Sequence, residues 1–168
     1  MSSVIPGRRT ALLDDEVVVF LIGMRINRFR SLRSWLAPFR AMPKMLAELA
    51  RDPDLGLLHA QWFWSGRVIG YVQYWRSFEH LADYARDRDR EHLPAWREFN
   101  RVVRDNGLVG IFHETYRVRS GSAETVYGNM PAYGLAAAVG GGPVATLGQS
   151  AARRMRSTEE DVPAVAPY

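Results

Sequence analysis

Residues 55–76 read LGLLHAQWFWSGRVIGYVQYWR. Two runs rich in aromatic and β-branched side chains, Leu55 to Ser65 and Val68 to Arg76, flank Ser65-Gly66-Arg67. Two apolar runs separated by so short a glycine-bearing link predict a β-hairpin. Alternation then puts Trp62 and Trp64 on one face of the first strand, and Gln61 and Phe63 on the other.

Upstream of the hairpin the period changes. Trp35, Leu36, Phe39, Met42, Met45, Leu46 and Leu49 recur at three- and four-residue spacing, a helical stripe. Pro38 and Pro43 each remove an amide donor, so the spacing predicts a short first turn and a second helix starting near Pro43. Asp52-Pro53-Asp54 ends it. Further back, Val17 to Ile22 is β-branched and bounded by Asp14-Asp15, predicting a strand over 17–27, buried on both faces or on one face and at an interface.

Downstream, Ser77 is an N-cap for a helical face of Phe78, Leu81, Ala82, Tyr84 and Ala85. The charged run 86–91 is its exposed end, and Leu93-Pro94 starts or kinks a second helical stretch closed by Asn106-Gly107. Val109 to Val118 returns to strand character. The order is β-α-β-β-α-β, which is the α+β ferredoxin-like arrangement: an antiparallel sheet with helices on one face. The other face still carries apolar side chains, so a homodimer through the sheets is the natural completion. The reading is an N-terminal arm over 1–13 and a ferredoxin-like domain over 14–135. A Gly-rich connection and a loose tail occupy 136–168, with a short basic helix over 146–157 and a fifth strand near 124–131.

Composition narrows the function classes. The chain has 168 residues, 47% of them hydrophobic and 24% charged, enough for one domain with a core of its own. It has no cysteine, which removes disulfides, thiolate zinc sites, iron–sulfur clusters and cysteine nucleophiles together. The net charge is +4, but 22 basic residues are interleaved with 18 acidic ones, a solvated surface rather than a phosphate-tracking stripe. No nucleic-acid partner is expected. The apolar run Val17 to Met24 is too short for a bilayer and lacks a leader's cleavage site, so the expectation is a cytoplasmic protein with no membrane contact. Gly140-Gly141-Gly142 fits neither nucleotide fingerprint and reads as a flexible connection.

Four histidines are present, none in a metal-ligand cluster. His92, Trp96 and Asn100 fall at i, i+4 and i+8 and share one helical face if the helix runs on past Pro94. If it restarts at Leu93, His92 lies just outside its first turn and can still point into the same cleft. The row is either a pocket for a polar, partly aromatic ligand or a boundary face reaching water. In His113-Glu114-Thr115-Tyr116, alternation sets His113 and Thr115 against Glu114 and Tyr116. Whichever face meets the helices offers an imidazole or a carboxylate–phenol pair for proton transfer. Trp62 and Trp64 suit either a core or the wall of a cavity for a flat organic molecule or a haem.

These residues carry a resemblance. Gly70 to Ser77, Leu81, Tyr84-Ala85, His92 to Trp96, Phe99-Asn100, Val109 to Tyr116 and Tyr127 to Pro131 resemble the small monooxygenase-like proteins of fungal and actinobacterial biosynthetic clusters, the fumagillin-pathway type. The resemblance spans about residues 15–135. It implies the dimeric α/β barrel of antibiotic-biosynthesis monooxygenases, a group that also holds haem enzymes such as chlorite dismutases and aldoxime dehydratases. Motif positions implied by it are His92, Trp96, Asn100, His113, Glu114, Tyr116, Tyr127 and Asn129. Phe112 stands where a tryptophan is expected.

Three functions follow as expectations. The first is a cofactor-independent oxygenase of secondary metabolism acting on an aromatic or polyketide-like substrate. Its catalytic set is His92, His113, Glu114 and Tyr116, and its substrate contacts are Trp96, Asn100, Trp62, Trp64, Tyr127 and Asn129. The second is a haem b enzyme with His92 on the iron and His113 as the distal acid–base group. The third is a non-catalytic carrier or cyclase-like protein with the same cavity. Fold alone does not choose among them.

Overall fold

The computed structural model describes residues 3–90, 97, 99–101, 107–156 and 161, and the hairpin forms as its sequence predicts. Strand β3 (Leu57–Ser65) pairs antiparallel with β4 (Val68–Trp75), and Gly66 at the tip sits at φ 58°, where a β-carbon would be strained. Strand β2 (Glu16–Ile26) pairs antiparallel with the other edge of β4, and β5 (Val109–Arg119) lies beside β2. The sheet order is β3-β4-β2-β5, the ferredoxin-like order. Residues 18–116 form one compact unit, and residues 1–17 with 117–168 form another.

In the first unit, register decides which side chains meet. Val18 faces Trp75, Phe20 faces Gln73, Ile22 faces Tyr71 and Met24 faces Ile69. On β3, Trp62 lies opposite Tyr71 and Trp64 opposite Ile69. All these share one face of the sheet. On that face Val18 and Trp75 pack with Met45 and Leu49 of helix α1 (Leu32–Arg51) and with Leu81 and Tyr84 of α2 (Phe78–Arg86). A neighbouring cluster joins Met24, Val109 and Phe99, with Trp35 and Ile69 against it.

Helix α1 corrects the expectation of two pieces: it runs unbroken through Pro38 and Pro43. Each internal proline costs roughly 3 kcal/mol. Burying Met45 and Leu49, with Trp35, Met42 and Leu46 partly covered, offsets this at roughly 1.5–3 kcal/mol per fully buried side chain. A break would lift half of that stripe off the sheet. The Ser77 cap holds as expected, its hydroxyl accepting the His80 amide at 3.4 Å and meeting His80 Nδ1 at 2.9 Å.

The second unit departs further from the sequence reading. Where an arm was expected over 1–13, β1 (Ile5–Ala11) is the central strand of a three-stranded sheet, between β6 (Tyr127–Met130) and β7 (Gly141–Pro143). The Gly-rich connection is therefore ordered: after α3 (Gly134–Val139), Gly141 and Gly142 pair with Ala11 and Thr10. A β-carbon on Gly142 would stand 3.0 Å from the end of the Leu12 side chain, so the glycine lies in close packing rather than in a loose link. The expected basic helix shrinks to one turn, α4 (Ala151–Arg154). Arg154 is buried, pairs with Glu124 and donates to the carbonyls of Gly148 and Gln149 at 3.0 and 2.8 Å. Among the described residues no helix is long and apolar enough to cross a membrane.

Candidate functional site

Between α1 and the sheet of the first unit, packing is incomplete. A cavity of about 510 Å³ opens there, a size suited to a small organic molecule. Its floor is Ile22 and Met24 of β2 with Ile69 and Tyr71 of β4. Phe39, Met42 and Pro43 of α1 roof it, Trp62 and Trp64 of β3 form one side, and Ile111 of β5 closes the other. The two tryptophans are 65% and 69% exposed, so they stand at the mouth rather than in the core. Trp64 is steadied by its indole N–H, which donates to the Gly66 carbonyl at 2.7 Å.

The wall is almost wholly apolar. Among its described residues the one hydroxyl is that of Tyr71, and burial pushes this phenol above its ordinary value of 10.0. One cross-strand row deeper lies Gln73, opposite Phe20 and 4% exposed. Its amide oxygen accepts the Trp75 indole N–H at 3.0 Å, and its nitrogen faces Met42 Sδ at 3.8 Å. Sequence reasoning placed neither Tyr71 nor Gln73 in the site. The alternation Ile69, Tyr71, Gln73, Trp75 along β4, set against the hairpin register, is the signal that finds them.

The face of β5 is now fixed. His113 shares the parity of Ile111 and its ring lies 5.7 Å from Phe20, so it belongs to the cavity side of the sheet, exposed at the edge strand. Glu114 and Tyr116 project from the reverse face. There the Tyr116 hydroxyl donates to Glu114 Oε2, and this bond raises the phenol's pKa above 10.0. The structure thus separates the four-residue catalytic set of the sequence reading: His113 stands on one side of the sheet, Glu114 and Tyr116 on the other.

The helical row fares differently. His92 and Trp96 lie outside the described residues, while Asn100 is helical and exposed. Tyr127 and Asn129 sit on β6 of the second unit, where both make local bonds. The Tyr127 hydroxyl accepts the Ala136 amide at 3.4 Å, and Asn129 Oδ1 accepts the Gly7 amide at 2.9 Å. Asn129 holds φ 51°, a left-handed conformation that asparagine tolerates better than most residues.

On the reverse face of the first unit, Gly23 and Gly70 are register partners, and an aromatic ring lies over each. A β-carbon on Gly23 would meet the Phe112 ring at 2.8 Å, and one on Gly70 would meet Phe63 at 2.7 Å. His59 stacks on Tyr74 there at 6.2 Å, and burial holds its pKa below 6.5. Among the described residues no group of three or more His, Asp or Glu is arranged to hold a metal ion.

Comparison with known proteins agrees with this architecture. The model of the family described as monooxygenase af470-like matches residues 17–135. Monooxygenase af470 of Aspergillus fumigatus is 30% identical over 151 residues, covering 77% of this chain and 53% of that protein. The chain therefore spans about half the length of this curated relative. Among solved structures, an aldoxime dehydratase crystallised with butyraldoxime superposes with a TM-score of 0.61 at 14% identity. The match covers 83% of this chain and 41% of that one, a likeness of fold. SnoaB, a cofactor-independent oxygenase from Streptomyces nogalater, gives a TM-score of 0.42 at 13% identity, over 61% of this chain and 91% of that one.

Proposed function

The chain belongs to the monooxygenase af470-like family, and from that premise we propose that it is a small oxygenase acting, without a cofactor, on a flat aromatic or polyketide-like substrate. The observation that carries this reading is the cavity itself: about 510 Å³, apolar, flanked by Trp62 and Trp64, with His113 on the same face of the sheet. Such a wall excludes water and binds by area, and stacking on the indoles orients a planar molecule.

The chemistry is proposed from the donor set of the wall. It offers no carboxylate and no imidazole among its described residues, only two thioethers, a phenol and two indoles. In the alternative haem reading His92 would hold the iron, and it lies outside the described residues. The donor set suits a reaction in which the substrate supplies the electrons. A base takes a proton from an activated CH₂ beside a carbonyl or ring, and the carbanion reduces dioxygen. The CH₂ becomes C=O, and the second oxygen leaves as water. His113 is the proposed base, standing on the cavity side of the sheet with its ring 5.7 Å from Phe20.

A second copy of the chain is the proposed cover for the reverse face. Leu21 and Val72 are partly exposed there beside Phe63 and Phe112, while α1 and α2 both pack on the other side. The function is tested by oxygen uptake with anthrone, whose central CH₂ is activated by a carbonyl across the ring. The expected result is substrate-dependent uptake without added metal or haem, lost at least tenfold in His113→Gln. Uptake that appears only after ferric haem is added, with a Soret band that saturates at one haem per chain, would overturn the cofactor-free reading.

A further inference from the structure

We propose that Gln73 is a specificity-determining residue of this cavity, an oriented donor that selects ligands presenting a carbonyl or enolate oxygen at its inner end. The proposal rests on the cavity being the ligand site, and it names the chemistry the ligand must carry.

The orientation of the carboxamide is dictated by its neighbour. An indole N–H donates and never accepts, so the Trp75 contact at 3.0 Å must be made by the amide oxygen of Gln73. The NH₂ group is thereby turned the other way, towards Met42, a residue of the cavity roof. That nitrogen carries two donors, and among the described residues its partner is the Met42 thioether at 3.8 Å, a weak acceptor. A carboxamide so deeply buried, held by a tryptophan at one end and facing sulfur at the other, has donor capacity to spare.

Position supports the same role. Gln73 follows Tyr71 on the same face of β4, one row in from the cavity floor, and Phe20 beside it follows Ile22 in the same way. Methionine is unbranched and adaptable, so a ligand oxygen can displace the Met42 thioether from the NH₂ without disturbing the helix. In the proposed reaction, loss of a proton beside a carbonyl moves negative charge onto the carbonyl oxygen. A fixed N–H aimed at that oxygen, in a site shielded from water, stabilises the charge without reorganising.

The test uses fluorenone and fluorene, flat molecules of one skeleton that differ by C=O against CH₂, titrated by tryptophan fluorescence. The intact protein is expected to bind fluorenone about five- to tenfold tighter, one hydrogen bond's worth. Gln73→Met keeps length and a weak acceptor for Trp75 but removes the donors. It should abolish the preference while leaving fluorene affinity within about twofold. Met42→Leu frees the NH₂ from sulfur and should keep or enlarge the preference. Should Gln73→Met not fold, the infrared carbonyl band of bound fluorenone decides in its place: lowered in the intact protein and lowered further in Met42→Leu supports the donor. Equal affinities for the two probes in the intact protein, an unchanged preference in Gln73→Met, or an unshifted carbonyl band overturns it. Failure of both probes to bind would instead remove the cavity as the ligand site, a result separable from the loss of preference alone.

Discussion

The two faces of the four-stranded sheet are built from the same strands, yet they solve opposite problems. On the helix side, Val18 and Trp75 seal one end against α1 and α2, while Ile22, Met24, Ile69 and Tyr71 leave a space beneath Phe39 and Met42. On the reverse side, the row at Gly23 and Gly70 carries no side chains at all, and Phe63 and Phe112 lie over the bare backbone. One face keeps a hole for a small molecule; the other is levelled. A level apolar face is what packing sheet against sheet requires. The alternation of the strands lets one sequence do both, because a change at an even position of β2 is not felt directly at an odd one.

The largest test of that division is Gly70→Ala. A β-carbon there would stand 2.6 Å from the Ile22 carbonyl, which is backbone and cannot swing aside, and 2.7 Å from the Phe63 ring. The variant should lose about 3 kcal/mol of stability in urea denaturation. Trp64→Ala, on the exposed mouth of the cavity, should stay within about 0.5 kcal/mol. Comparable losses in both would mean that the levelled row is no more constrained than the open one.

The next effect concerns what covers the levelled face. Val72 lies opposite Leu21 at the centre of that side and is partly exposed. A second copy docked there would bury a charge placed at Val72 without a partner. Val72→Glu should therefore convert a dimer to a monomer in sedimentation while the far-ultraviolet spectrum stays unchanged. A protein that is monomeric before the substitution would break the proposed role of this face. The cavity lies on the opposite side of the sheet from Val72 and should bind fluorene equally in both forms.

Most of the first unit was legible because the signals were local. The Ser65-Gly66-Arg67 turn set the hairpin, the hairpin set the face shared by Trp62 and Trp64, and Ser77 capped α2 as its chemistry requires. Helix α1 departs from its local pattern because propensity weighs Pro38 and Pro43 locally, whereas the stripe of Met45 and Leu49 is held by a sheet distant in sequence. The second unit was hidden for a related reason. Strand β1 finds its partners β6 and β7 more than a hundred residues away, and Gly141 and Gly142 have the composition of a loop. The site was half legible: its tryptophans from alternation, but Gln73 only once Trp75 and Met42 were placed around it.

The smallest effect is a titration, and it separates the faces by pH. His59 stacks on Tyr74 on the levelled side, and burial lowers its pKa below 6.5. In the unfolded chain the same imidazole titrates near the ordinary histidine value of 6.5. Above 6.5 both states are neutral at this position and the contribution to stability is fully present. As pH falls below 6.5 the unfolded state takes up a proton first, and stability is lost until the folded histidine titrates too. His59→Phe keeps a ring on Tyr74 and removes the proton. Its urea midpoint should therefore fall less than that of the parent between about pH 7 and pH 5. A second copy over this face would deepen the burial, so the parental slope should be steeper as a dimer than in the Val72→Glu background. Equal slopes in the two backgrounds would show that His59 feels only its own chain, and that the partner, if it docks, leaves this corner of the sheet uncovered.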